Sequence, residues 1–169
     1  MTVLGRTEIL KLVREGTVKI APVFKEANVG PASIDLTLAN EFRVFKKGKA
    51  LEAKEDVKVD SYTRLVKAGK ITLKPGDFVH GITVEKITLP ETICGLLHGR
   101  SKYARMGIVV HATASFIQPG VSNKQVLEIK NISPRSVVLK AGTRLCQLIL
   151  LDMLGKGKYS GSFKIQEGL

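Results

Sequence analysis

Ile71-Thr72-Leu73-Lys74-Pro75-Gly76-Asp77-Phe78-Val79-His80-Gly81-Ile82-Thr83-Val84 is two short apolar runs hinged on a Pro-Gly corner. Proline presets φ for a turn and glycine tolerates the left-handed position that follows, so the chain reverses there and both flanks read as strands. The rhythm continues downstream. Short apolar runs at residues 93–97, 108–113, 126–130, 136–139 and 144–150 are divided by Leu89-Pro90-Glu91, Pro119-Gly120, Ser133-Pro134 and Ala141-Gly142. Upstream, residues 33–38 and 41–45 alternate polar and apolar, the pattern of half-buried strands. Many short strands at this spacing predict a mainly β fold, a barrel or sandwich.

Little in the chain departs from that pattern. Thr7-Glu8-Ile9-Leu10-Lys11-Leu12-Val13-Arg14-Glu15-Gly16 reads as one short helix, with Thr7 as its cap, Ile9, Leu12 and Val13 on one face and Gly16 as its stop. Residues 101–106 read as a short helical turn between two strands. Residues 46–60 are charged and poor in large apolar side chains, and read as a loop. The 169 residues suit one domain, 1–169. The last stretch, 153–169, is rich in Gly, Lys and Ser at its start and reads as mobile, either a frayed end or a lid.

Composition narrows the function. No apolar run approaches the roughly 20 residues of a membrane span, and Met1-Thr2-Val3-Leu4-Gly5-Arg6 lacks a signal-peptide layout, so the expected location is the cytoplasm with no membrane partner. Cys94 and Cys146 stand far apart in apolar runs and read as two buried thiols. The net charge of +12 favours polyanionic partners. Aromatics are only 5% and Trp is absent, so the exposed stacking cluster of an RNA-reading sheet is not visible and no nucleic-acid partner is expected. Three enzyme signatures are excluded. His80, His98 and His111 do not stand in the H-x-E and P-C-x-x-C setting of zinc nucleobase deaminases. Neither a P-loop nor a G-x-S-x-G elbow occurs.

Chemistry concentrates between residues 99 and 128. Arg100, Ser101, Lys102 and Arg105 bring two guanidiniums, an ammonium and a hydroxyl within about two helical turns, and Ser101 and Arg105 share a face there. Arginine binds phosphate bidentately and lysine neutralises it. A surface cluster of basic residues has the same composition. Glu128 lies in Val126-Leu127-Glu128-Ile129, apolar on both sides. If partly buried, its charged form is disfavoured and it becomes a better proton acceptor near neutrality. The alternative is a carboxylate on a polar strand face, paired with Lys124, Lys130 or Arg144. His111 follows Ile108-Val109-Val110 and reads as a supporting residue. The small residues Ala112, Ala114 and Ser115 would let a flat ligand approach the backbone.

The order of these motifs carries more than any one of them. G-R-S-x-x-A-R-x-G from Gly99 to Gly107, H-x-T-A from His111 to Ala114, I-x-P-G from Ile117 to Gly120 and V-L-E from Val126 to Glu128 together resemble the dCTP deaminase branch of the dUTPase superfamily. Pro31-Ala32-Ser33-Ile34-Asp35-Leu36, Leu73-Lys74-Pro75-Gly76-Asp77-Phe78, Leu89-Pro90 and Leu139-Lys140-Ala141-Gly142-Thr143-Arg144 extend the match over about residues 5 to 160. The resemblance implies a distorted β-barrel, jelly-roll-like subunit of the dUTPase type, assembled as a homotrimer with active sites between subunits. It implies dCTP as substrate, with dUTP or dTTP as further ligands, Mg2+ carried on the triphosphate, no metal held by protein side chains and no zinc. Glu128 would activate water for attack on C4 of cytosine. Ser101 and Arg105 would place that water and polarise the base, while Arg100 and Lys102 face phosphates. Tyr103, Ala104, Ala114, Gln118, Val126 and Leu127 would line the nucleotide, with His111 and Thr113 behind them. Lys158, before Tyr159, would reach the triphosphate when the tail closes.

Two departures bear on function. Gln118 stands where the family has an Asp that meets the sugar 3′-hydroxyl, and an amide cannot act as a base. Second, Ser162 replaces a glutamine of the tail. Lys102-Tyr103 also replace a smaller Ser-Leu pair. The expected activity is zinc-independent hydrolysis of dCTP to dUTP and ammonia. A dUTPase or bifunctional enzyme giving dUMP is the alternative. A nucleotide-binding paralogue without turnover is the second.

Overall fold

The structure is a computed structural model that describes residues 2–22 and 24–169. The elements in chain order are β1 (Thr2–Val3), α1 (Arg6–Arg14), β2 (Lys19–Ala21), β3 (Ile34–Phe45), α2 (Val59–Tyr62), β4 (Thr63–Lys67), β5 (Lys70–Leu73), β6 (Phe78–Thr88), β7 (Ile93–Gly99), α3 (Ser101–Ala104), β8 (Ile108–Val110), β9 (Phe116–Ile117), β10 (Ser122–Asn131), β11 (Val137–Lys140) and β12 (Arg144–Asp152). The mainly β reading holds.

The main sheet runs β8-β10-β6-β3-β12-β7-β9, with β1 beside β12, β2 beside β6 and β4 beside β3, while β11 and β5 form a separate ribbon. The joint is β3. Its first half pairs with β12 from Ile34 to Thr37, and its second half pairs with β6 from Phe42 to Val44 after a register irregularity at 38–42. One core fills the space between the two halves. Leu36, Leu97 and Leu148 come from one side, Val79, Leu127 and Ile129 from the other, and all belong to a single buried cluster. A sheet that shares one core between its two halves has curled into a half-barrel, which the strand alternation makes possible by keeping one face of each strand apolar.

The differences from the sequence reading have local causes. Residues 33–38 and 41–45 are one continuous strand, because an irregularity rather than a turn separates them. The strand expected over 108–113 stops at Val110, because His111 takes φ +56° and turns the chain out of the sheet. Helix α1 begins one residue before Thr7, with Gly5 at its cap position and no side-chain cap. The Arg6 N–H donates instead to the Pro31 carbonyl at 2.7 Å. Its end is as expected, with Gly16 at φ +72°. The 46–60 loop ends in the short helix α2. Strands β1, β2, β4 and β9 are short and carry no clear signal in the sequence. Cys94 and Cys146 are free and buried.

Two glycines at left-handed corners separate conformational strain from steric strain. Gly142 has φ +84°, and a Cβ added there would meet nothing within 4 Å. Gly107, at φ +80°, would place a Cβ 2.9 Å from the Ser133 amide nitrogen and 2.5 Å from its Cβ. Gly142→Ala is expected to cost about 1–2 kcal/mol from backbone conformation alone. Gly107→Ala adds a backbone clash and is expected to cost about 3 kcal/mol or more. Urea unfolding midpoints check this, and equal shifts for the two variants would contradict it.

Candidate active site

Strand β10 divides its side chains between two environments. Leu127 and Ile129 are fully buried in the core, and Val126 and Glu128 point to the opposite face, into a cleft of about 660 Å³. Glu128 is half-buried there. A strand buried on one side and open to a cleft on the other produces this alternation directly.

The turn after β8 closes over the carboxylate. The His111 N–H donates to the Glu128 carbonyl at 2.9 Å, extending the β8–β10 ladder by one bond before the chain leaves the sheet. The Thr113 N–H then donates to Glu128 Oε2 at 2.8 Å, and the Thr113 hydroxyl lies 2.8 Å from Oε1 and 2.9 Å from Oε2. The left-handed backbone of His111 is what aims Thr113 back at β10. The imidazole of His111 is tucked beneath, with Nδ1 buried and without a protein partner.

These contacts reverse one expectation. Burial pushes the Glu128 carboxyl up, but the Thr113 hydroxyl and N–H, the nearby His111 and the Ala114 N–H outweigh it, and the group sits below its usual range. Glu128 is therefore an ionised, oriented carboxylate rather than one made basic by desolvation. Burial pushes the neighbouring imidazoles the other way. His111 is lowered by desolvation, opposed by Glu128 and assisted by His98. His80 is lowered by desolvation, opposed by Glu128 and assisted by Arg43.

The cleft gathers some of the expected residues and not others. Ala114, Gln118, Val126, His111 and Glu128 line it. Leu127 does not, since its side chain is wholly in the core, so any ligand contact would come from its backbone. Ser101 and Lys102 lie in a separate groove with Arg100, Arg144, Asp35 and Gln147. There Asp35 holds Arg100 at 3.0 Å and Arg144 at 3.4 Å, and Arg100 also donates to the Arg144 carbonyl at 2.8 Å. Ala104 and Arg105 face a third depression beside Met106, Ile132 and Val138. Tyr103 packs against the core. One chain therefore separates the carboxylate from the Ser101–Arg105 turn. Sequence reading misses Arg43, Asn123 and Gln125 in the cleft and Gln147 in the groove, because none stands inside a familiar motif, and it reads Arg144 as part of a turn and not as a groove residue.

The tail lies on the body of the subunit. The Tyr159 N–H donates to the Pro119 carbonyl at 3.0 Å, and Ser122 and Lys124 donate to the carbonyls of Lys164 and Gln166 at 3.0 and 2.8 Å. Tyr159 and Phe163 thereby line the cleft. Lys158 pairs with Glu91 at 3.2 Å. Among the described residues, no cluster of three or more His, Cys, Asp or Glu is arranged to hold a metal ion, and no helix is long and apolar enough to cross a membrane.

Thr113→Val removes the hydroxyl and leaves the N–H. The Glu128 titration, followed by carboxyl 13C NMR, is expected to move to higher pH. Thr113→Ser keeps the hydroxyl and is expected to leave it near the wild-type position. No movement in the valine variant would contradict the assigned cause.

Known proteins resemble this chain. A dCTP deaminase from Rhodospirillum rubrum is 36% identical over 86% of this chain and 80% of that relative. A "dCTP deaminase, dUMP-forming" from Methanothermobacter thermautotrophicus is 34% identical over 90% of this chain and 80% of that relative. The crystal structure of 2′-deoxycytidine 5′-triphosphate deaminase from Agrobacterium tumefaciens shares the fold, with TM-score 0.67 and 23% identity, over 88% of this chain and 47% of that one. This chain thus spans about half the length of that solved structure. Solved dUTPases are also structural neighbours. The model of the dCTP deaminase-like family matches residues 3–153, which cover the half-barrel, the groove and most of the cleft, and the chain belongs to that family.

Proposed function

We propose that the protein hydrolyses dCTP to dUTP and ammonia, with Glu128 as the proton-transfer group. The observation that carries this reading is the Glu128 clasp. Among the described residues lining the cleft, Glu128 is the only Asp or Glu side chain, and its two oxygens are fixed by Thr113 while the cleft side stays open. A carboxylate so held can take a proton from a water as that water's oxygen bonds to C4 of cytosine. It passes that proton to N3, takes the second from the new C4 hydroxyl and hands it to the amino nitrogen, and the C4–N bond breaks so that ammonia leaves as the C4 carbonyl forms.

The groove of Arg100, Lys102 and Arg144 suits the triphosphate, with Ser101 and Gln147 as neutral donors. Its one carboxylate, Asp35, is committed to two guanidiniums, so that donor set fits a triphosphate bringing Mg2+ on its own oxygens. The ion would neutralise and orient those phosphates. Because one chain keeps Ser101 and Arg105 away from the Glu128 cleft, a complete site needs a second copy. A homotrimer with shared sites meets that need, with Arg105 and Ser101 of one copy closing on Glu128 of the next. The tail then acts as the lid of a single 1–169 domain, Lys158 leaving Glu91 for phosphate. A nucleotide substrate of this kind is in keeping with work in the cytoplasm.

A second reading has a specific observation behind it. The Methanothermobacter thermautotrophicus relative is dUMP-forming, and the same cleft could serve a second hydrolysis releasing diphosphate. Gln118, an amide facing the cleft, offers no base for that step, which is why deamination alone is preferred.

Incubation with Mg2+ and dCTP, and separately with dUTP, followed by ion-exchange chromatography, separates the readings. dUTP is expected from dCTP, with loss of about 10²-fold or more in Glu128→Gln. dUMP from both substrates would establish the dUMP-forming enzyme. Binding of both nucleotides without product would leave a nucleotide-binding protein and overturn the proposal.

A further inference from the structure

Glu128 does not stand alone on its face of the sheet. The β10–β6 register sets His80 directly opposite Glu128, and the β6–β3 register sets Arg43 directly opposite His80. Directly opposed residues of antiparallel strands point to the same face, with Cβ atoms about 5 Å apart. Arg43, His80 and Glu128 all line the one cleft. Three ionisable side chains thus form a row across three strands, with His111 at its far end.

The outer end of the row is tied down. Arg43 donates to Asp60 Oδ1 at 2.5 Å and to Thr63 Oγ1 at 3.2 Å, so its charge is committed to the α2–β4 junction. Among the described residues, His80 has no such commitment. Its ring stands edge-on to Phe45 (centroids 5.3 Å, 70°) and to Phe78 (5.4 Å, 86°), which fixes the imidazole plane without using its nitrogens. A ring held by packing, with free nitrogens, beside a carboxylate on the next strand, is built to interact with that carboxylate or with a water between them.

We infer that His80 is a positioning residue for the reaction proposed above, a neutral imidazole that orients Glu128 and, when protonated, captures it in an ion pair. The inference rests on the reading of Glu128 as the proton-transfer group. Two opposing influences set the switch. Packing against phenyl rings and the nearby Arg43 disfavour the imidazolium, and Glu128 favours it. The other titratable or charged groups around this cleft are Asp60, which holds Arg43, Tyr62 from α2, Lys124 on β10 and Lys130 on β10 opposite Phe78, His111 from the turn after β8, and the carboxylate of the C-terminal Leu169. None is placed between His80 and Glu128 in the register.

The sign follows. Above its titration, His80 is neutral and Glu128 is free to accept a proton from water. As pH falls through the His80 titration, below the ordinary histidine value, the imidazolium pairs with Glu128 and weakens it as a base. Turnover falls before Glu128 itself is protonated.

The test is the pH profile of kcat for the full chain and for His80→Gln and His80→Phe. In the wild type the acid limb is expected at the His80 titration. In both variants it is expected to move lower, to the titration of Glu128. At neutral pH, His80→Gln, which keeps a hydrogen-bonding group, is expected to stay within threefold of wild-type kcat. His80→Phe is expected to fall about tenfold, with KM changed less than twofold in either. Superimposable profiles for all three proteins would overturn the inference. So would equal kcat losses in both variants without a shift of the limb, which would make His80 a packing residue. A readout independent of turnover is the Glu128 carboxyl 13C shift. It is expected to show a second inflection at the His80 titration that vanishes in both variants, and its absence in the wild type would overturn the inference. If Glu128→Gln retains activity, the reading of Glu128 fails. If Glu128→Gln is inactive while the His80 variants match the wild type, only the present inference fails.

Discussion

The arrangement depends on one property of β10, that alternate residues of a strand face opposite ways. Leu127 and Ile129 close the core between the two halves of the sheet, and Glu128 between them can only point into the cleft. A shift of one residue in the β10–β6 register would drive the carboxylate into an apolar core and expose the leucine. The packing that stabilises the half-barrel therefore also positions the chemistry. The Thr113 clasp adds the second coordinate, fixing both oxygens from a turn whose direction is set by the left-handed backbone of His111.

A carboxylate anchored in this way differs from one made basic by burial. Desolvation and hydrogen bonding oppose each other at Glu128, and the hydrogen bonds prevail. The site supplies orientation instead of a raised proton affinity. Its neighbours His80 and His111 are held toward the neutral form by burial, and Arg43 is paired with Asp60.

Much of this is legible in the residues. Turn signals at Pro75-Gly76, Pro119-Gly120 and Ala141-Gly142 mark real corners, with Gly76, Gly120 and Gly142 all at positive φ. The apolar flanks of Glu128 foretell its half-burial. What sequence cannot carry is register. That His80 faces Glu128 across 48 positions of chain, or that Asp35 bridges Arg100 and Arg144, follows from strand pairing and leaves no mark in local spacing. The sign of the Glu128 shift escapes the sequence for the same reason, since the Thr113 contact is made by a turn that reads as strand. Thr7 reads as a cap and is not one, because the Pro31 carbonyl, distant in sequence, receives the first free N–H.

The separation of Glu128 from Ser101 and Arg105 within one chain is the feature on which the functional account turns. Complementation tests it most directly. Glu128→Gln and Arg105→Ala subunits, each inactive alone, are mixed under conditions that exchange subunits, and dCTP turnover is measured. If sites are shared between copies, one site in four regains both residues, and activity of about a quarter of wild type is expected at equal mixing. Mixtures as inactive as their parents, with exchange confirmed by mass, would show that each chain must supply both residues itself, and would contradict the account.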